Sequence, residues 1–119
     1  SIPLVELVDY AYTDSYNYPK GILVYAEVAG DTANGGLGGS ATAYNPGQFI
    51  YTLKVTNQSS ANKTITLKFN LPKNIVYDSG INDVGPYTKP TSVSGQTLIW
   101  SNFDVSVPEK TIQFKVRTL

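Results

Sequence analysis

Alternation of apolar and polar residues with a period of two constrains this chain more than any other feature. After Gly47, Phe49, Tyr51, Leu53 and Val55 share one parity, against Ile50, Thr52, Lys54 and Thr56. Ile65, Leu67, Phe69 and Leu71 repeat the pattern against Thr64, Thr66, Lys68 and Asn70. Ile112, Phe114 and Val116 do so against Gln113, Lys115 and Arg117. Successive side chains of a strand point to opposite faces, so each run predicts a strand with one buried and one wet face. No stretch sustains a helical period. Because residues 57–62 form a short polar turn between the first two runs, those runs predict an antiparallel hairpin.

Proline and glycine punctuate the rest. Pro72 lacks an N–H for a ladder and stops the second run. Ile75, Val76 and Tyr77 make a short strand, and residues 78–95 read as a long connection broken by Gly80, Gly85, Pro86, Pro90 and Gly95. Residues 97–102 resume strand character, with Leu98 and Trp100 inward, and residues 111–118 close the chain. Residues 22–28 form a strand apolar on both faces, followed by a glycine-rich connection over 30–47. Six strands from residue 21 and a further strand-like segment at residues 1–14 predict an all-β fold. Its expected form is an immunoglobulin-like antiparallel sandwich of about seven strands. The predicted core is Phe49, Tyr51, Leu53, Val55, Ile65, Leu67, Phe69, Trp100, Ile112, Phe114 and Val116.

Composition excludes several function classes. A chain of 119 residues suits one domain with one core. Nine Lys and Arg balance nine Asp and Glu, so no net field favours nucleic acid or an anionic membrane. No apolar run reaches the roughly 20 residues of a membrane-spanning helix. The chain has no Cys, His or Met, which removes disulfides, thiol chemistry, the commonest transition-metal ligand and the commonest general base. No enzyme activity and no cofactor are expected. Ser1 in place of Met, with abundant Tyr, Thr, Ser and Asn, predicts an extracellular protein secreted with its signal peptide removed.

The front segment is surplus to the six downstream strands. Residues 15–20 tether it to a domain spanning 21–119. Within residues 1–14, Ile2, Leu4, Val8, Tyr10 and Tyr12 share one parity, interrupted by Glu6. Val5, Leu7 and Ala11 share the other, interrupted by Asp9. A strand apolar on both faces suits insertion between other surfaces. It either folds back in cis as the domain's own strand or is donated in trans to a second copy. Donation satisfies a row of edge N–H and C=O groups and, being head-to-tail, propagates into a fibre.

Residues 45–57 run Asn-Pro-Gly-Gln-Phe-Ile-Tyr-Thr-Leu-Lys-Val-Thr-Asn, followed by Leu71-Pro72, Leu98-Ile99-Trp100 and Thr111-Ile112-Gln113-Phe114. In order and spacing, residues 21–119 resemble the surface-protein repeat of bacteria and archaea called domain of unknown function eleven. Two departures stand out: Asn70 where members carry Asp, and the long 30–47 connection. The resemblance implies an extracellular immunoglobulin-like module without chemistry. The spare N-terminal strand is similar in architecture to the donated strands of chaperone–usher pili and of TasA-type biofilm fibres.

Candidate sites are few. Asn57-Gln58-Ser59 and Asn62-Lys63-Thr64 are N-glycosylation sequons in one turn. Asp78, Asn82 and Asp83 form a weak Ca²⁺ candidate, although the spacing fits no EF-hand. Tyr10, Tyr12, Tyr16, Tyr18, Tyr25, Tyr44 and Tyr87 suit an interface between copies or a surface for glycans. Lys54 and Lys68 fall on wet faces. The expected function is a self-assembling extracellular structural subunit of a filament or surface layer. Its partners are other copies of the chain, joined through Ile2, Leu4, Val5, Leu7, Val8, Tyr10 and Tyr12. The alternative is a monomeric cell-surface adhesion or carbohydrate-binding module. Assembly that depends on the N-terminus separates the first from the second.

Overall fold

The structure, a computed structural model, describes residues 2–3, 18–30, 42–43 and 47–119. Its strands are β1 (Ile2–Pro3), β2 (Ile22–Gly30), β3 (Thr42–Ala43), β4 (Gln48–Asn57), β5 (Lys63–Asn70), β6 (Ile75–Tyr77), β7 (Ser92–Ser94), β8 (Thr97–Val105) and β9 (Glu109–Thr118). One sheet has the order β2-β4-β9-β6, the other β5-β8-β7, and every pairing is antiparallel. β1 and β3 form a separate two-stranded pair, Ile2 opposite Ala43 and Pro3 opposite Thr42. Four strands facing three give the layering of an immunoglobulin constant-type sandwich. The path through it differs: after β6 the chain crosses to the far edge as β7, returns as β8, and ends as β9 between β4 and β6.

The alternating runs carry out the task their period assigns. All eleven predicted core residues are buried, joined by Ile22, Val24, Ala26, Val28, Leu71, Ile75, Leu98, Phe103 and Val105. The two sheets meet through four aromatic rings. Tyr51 stacks on its cross-strand neighbour Phe114 with centroids 5.5 Å apart. From the opposite sheet, Phe69 meets Phe114 edge-on at 5.4 Å and Trp100 lies 5.3 Å from it. Offset and edge-to-face contacts of this kind add to simple area burial, and no disulfide assists them.

Three expectations change. The first concerns β4 and β5, which are not a hairpin: they lie in different sheets, and residues 58–62 arch between the layers. A buried side chain makes the arch. The Asn57 amide nitrogen donates to Ala61 O at 2.9 Å and to Val105 O at 3.1 Å, while its oxygen accepts the Ser59 N–H and hydroxyl. These bonds tie the end of β4 to the end of β8, which belongs to the other sheet.

The second change is in β8, which runs on to Val105 instead of ending at Asn102. Its register against β5 shifts, with Ile65 opposite Phe103 but Leu67 opposite Trp100. The extra residue is a bulge at Ser101–Asn102, and Asn102 takes a left-handed φ of 53°. The bulge switches the parity, so Phe103 and Val105 face the core like Leu98 and Trp100. The third change is the seventh sandwich strand. Ser92–Ser94 supplies it from inside the expected connection, and all three of its residues are exposed. Among the described residues, the seven sandwich strands therefore lie between Ile22 and Thr118.

Candidate functional site

In an all-β chain, sheet edges are places where interactions are made, because unpaired backbone groups there offer a template. The two sides of this sandwich treat their edges differently. On the β6 side, the edge of β9 is closed by a loop. β6 covers Thr118, Arg117 and Val116. At the next position the Asn82 side chain takes over, its oxygen accepting the Lys115 N–H at 2.7 Å and its nitrogen donating to the Lys115 carbonyl at 2.9 Å. The Thr88 N–H then donates to Gln113 O. A side-chain amide carries one donor face and one acceptor, so Asn82 reproduces a rung of a strand. Asn82 is 3% exposed, and its second amide hydrogen goes to Asp78 O. In the other sheet, the Thr91 hydroxyl accepts the Ser101 N–H at 2.9 Å and donates to Ile99 O at 3.0 Å, which extends the cover beyond β7.

On the opposite side, β2 and β5 are each laddered along one flank only among the described residues. The tether crosses here. The Tyr18 hydroxyl accepts the Lys68 N–H at 2.9 Å and donates to the Lys68 carbonyl at 3.4 Å. Both groups of Lys68 therefore point away from β8, as they must at a non-hydrogen-bonded pair with Ile99. Thr66 and Asn70, two residues to either side, direct their peptide groups the same way. The Tyr18 ring is half-buried against the core. Pro19 O accepts the Ile22 N–H, and Gly21, at φ +91°, turns the chain into β2. A Cβ on Gly21 would lie 3.3 Å from Ser59 N, so strain and crowding both favour glycine there. The tether thus leads from the outer edge of β5 to the start of β2.

Of the residues expected to link copies, Ile2 belongs to β1, while Leu4, Val5, Leu7, Val8, Tyr10 and Tyr12 lie outside the described residues. So do Tyr16 and Tyr44. Tyr25 is exposed on β2, and Tyr87 lies under the Lys115 ammonium, 5.3 Å from its ring centroid. The described members of that tyrosine set, Tyr18, Tyr25 and Tyr87, lie on the tether, on β2 and in the loop after β6.

The two sequons differ. Asn57 is 3% exposed with both amide hydrogens donated, so a sugar on that nitrogen would dismantle the arch. Asn62 is exposed, and its oxygen accepts the Val107 N–H at 3.1 Å. The Ca²⁺ candidates do not converge. Asp78 accepts the Gly80 N–H at 2.9 Å and pairs with Arg117 at 3.3 Å, Asp83 pairs with Lys89, and Asn82 caps β9. Among the described residues no cluster of three acidic, His or Cys side chains is present. Lys54 is exposed and paired with Glu109.

Beside this loop, the Tyr77 hydroxyl is buried with no hydrogen-bond partner among the described residues. Burial first, then the Asp83 and Asp78 charges, raises its pKa above the usual tyrosine value of about 10. The folded state therefore favours the neutral phenol, and this contribution is complete below pH ~10. As pH rises further, the unfolded chain ionises first and stability falls. Tyr77→Phe is expected to abolish that alkaline loss and to leave stability at neutral pH unchanged or slightly raised. Urea midpoints of both chains from pH 8 to 11 read this out, and parallel pH curves would contradict it.

No family model matches the chain, and no curated protein and no solved structure matches it significantly. Among the described residues no helix is long and apolar enough to cross a membrane.

Proposed function

We propose that this chain is an extracellular structural subunit that polymerises into a filament or surface layer, with residues 1–14 donated to the outer edge of β5 in a neighbouring copy. The observation that supports this reading most directly is the Tyr18–Lys68 contact. A side chain of the tether does there what the backbone of an added strand does. The segment has the length for the task. Fourteen extended residues span roughly 46 Å, against roughly 27 Å for the eight residues of β5. Its two partly apolar faces suit a position at the rim between two sheets.

The unequal edges also favour linear growth. Asn82, Thr88 and Thr91 cover β9 and β8 beyond the three-residue strands β6 and β7, so the longest open edges among the described residues are those of β2 and β5, where an added strand gains most. A head-to-tail contact of this kind repeats without closing unless the subunit rotation forms a ring. The reading needs no metal, cofactor or catalysis, and main-chain hydrogen bonds with alternate side chains in pockets supply the affinity. The resemblance of residues 21–119 to a surface repeat fits the same role.

Electron microscopy and light scattering on the full chain, beside a chain lacking residues 1–14, test the proposal. Fibres from the full chain are expected, together with loss of assembly in the truncated chain and capture of a synthetic 1–14 peptide by it. A full chain that stays monomeric at high concentration, with a truncated chain that unfolds, would overturn the proposal. Residues 1–14 would then be the domain's own strand.

A further inference from the structure

We infer that Tyr18 is a plug on the acceptor edge, which an incoming donor strand must displace before it can pair along the whole of β5. This inference rests on the proposed strand donation and concerns its rate. The outward peptide groups of β5 recur at Thr64, Thr66, Lys68 and Asn70, and the subunit's own Tyr18 takes both groups of Lys68. The Lys68 rung lies inside the strand, not at its end. A foreign strand approaching with Tyr18 in place finds a ladder divided at Lys68. One outward position lies beyond that point and two lie before it.

The plug is of a kind that can be withdrawn. Its hydrogen bonds to the Lys68 backbone run through one hydroxyl, and the 3.4 Å donated bond is long. The ring is only half-buried, and it sits immediately before Pro19 and Gly21, where the chain already departs from a strand. When a donor strand arrives, its backbone replaces the hydroxyl on Lys68 bond for bond, so the exchange strands no polar group. In the absence of a donor, Tyr18 satisfies an edge position that would otherwise template unselective pairing. Lys68 is thereby kept for an occupant that brings a whole strand.

Tyr18→Phe in the full chain isolates the hydroxyl, because the ring and its packing are kept. Seeded fibre growth followed by light scattering is expected to accelerate by roughly two- to tenfold, the range for one net hydrogen bond. The final fibre mass and appearance should match those of the parent chain. Binding of the 1–14 peptide to the full-length variant should tighten by a similar factor. Growth and peptide binding that are unchanged, or weakened, would overturn the plug while leaving strand donation intact. If neither chain forms fibres and neither binds the peptide, strand donation itself fails, and the plug fails with it.

Discussion

Phe114→Ala is expected to remove about 3–5 kcal/mol of folding stability, the range for a fully buried phenylalanine. Phe114 has no exposed surface and sits where both sheets converge, with Tyr51, Phe69 and Trp100 all within 5.5 Å centroid to centroid. Three aromatic neighbours cannot collapse together into the vacated space, because each is held by its own strand. The residual cavity then adds to the lost transfer free energy. A domain of this size has about 5–15 kcal/mol in total, so the variant stands near the threshold of folding. Thr111→Ala, on the wet face of the same strand, should shift stability by no more than about 0.5 kcal/mol. Urea titration of both variants measures the difference. A loss below about 1 kcal/mol for Phe114→Ala would mean that the aromatic cluster is not the centre of the core.

Asn57→Ala should be nearly as damaging, at about 2–4 kcal/mol, although it deletes no apolar contact of note. Its amide satisfies two carbonyls, Ala61 and Val105, and accepts two donors from Ser59. Truncation leaves the Val105 carbonyl buried without its partner, and an unsatisfied buried group costs more than a hydrogen bond contributes. The arch also orders the approach to β9, since the Asn57 N–H donates to Pro108 O at 2.7 Å. Amide exchange in the variant should quicken at Ser59 and at Asn57, whose N–H bonds the arch holds. Denaturation together with exchange gives the test. A small loss with unchanged protection would show that chain connectivity alone holds the arch.

Both residues belong to alternating or turn-like stretches, yet only one was legible in the sequence. Phe114 lies in a clean period-two run, and its burial follows from parity. Asn57 reads as an ordinary turn residue, because nothing local distinguishes a hairpin from an arch between sheets. Its deciding bond reaches Val105, 48 residues away. Asn82 is similar. In the sequence it stands among acidic residues and suggests a cation site. In the fold it pairs with the Lys115 backbone, 33 residues distant, and acts as a rung of the sheet. The β8 bulge hid Phe103 and Val105 from a strict parity count. β7 was hidden because Ser92-Val93-Ser94 is too short a run, set between Pro90 and Gly95, to stand out as a strand.

The asymmetry of the edges bears on function in the same way. The surplus of apolar residues in 1–14 is a property of the sequence. The outward flank of β5 exists only once β5 pairs with β8 and turns its other side toward Tyr18. Cover of β9 on the far side depends on a loop whose Asn82 and Thr88 reach its backbone.

The sequence by itself determined that this chain is a β-sandwich and which side chains form the centre of its core, because burial against a sheet is read out locally at every second residue. It also determined the absence of thiol and imidazole chemistry. Only the tertiary structure decided which strands became neighbours, which edges were closed, and that Tyr18 meets Lys68. Those outcomes rest on hydrogen bonds between residues far apart in the chain, whose formation depends on where the packed sheets carry them and leaves no local period behind.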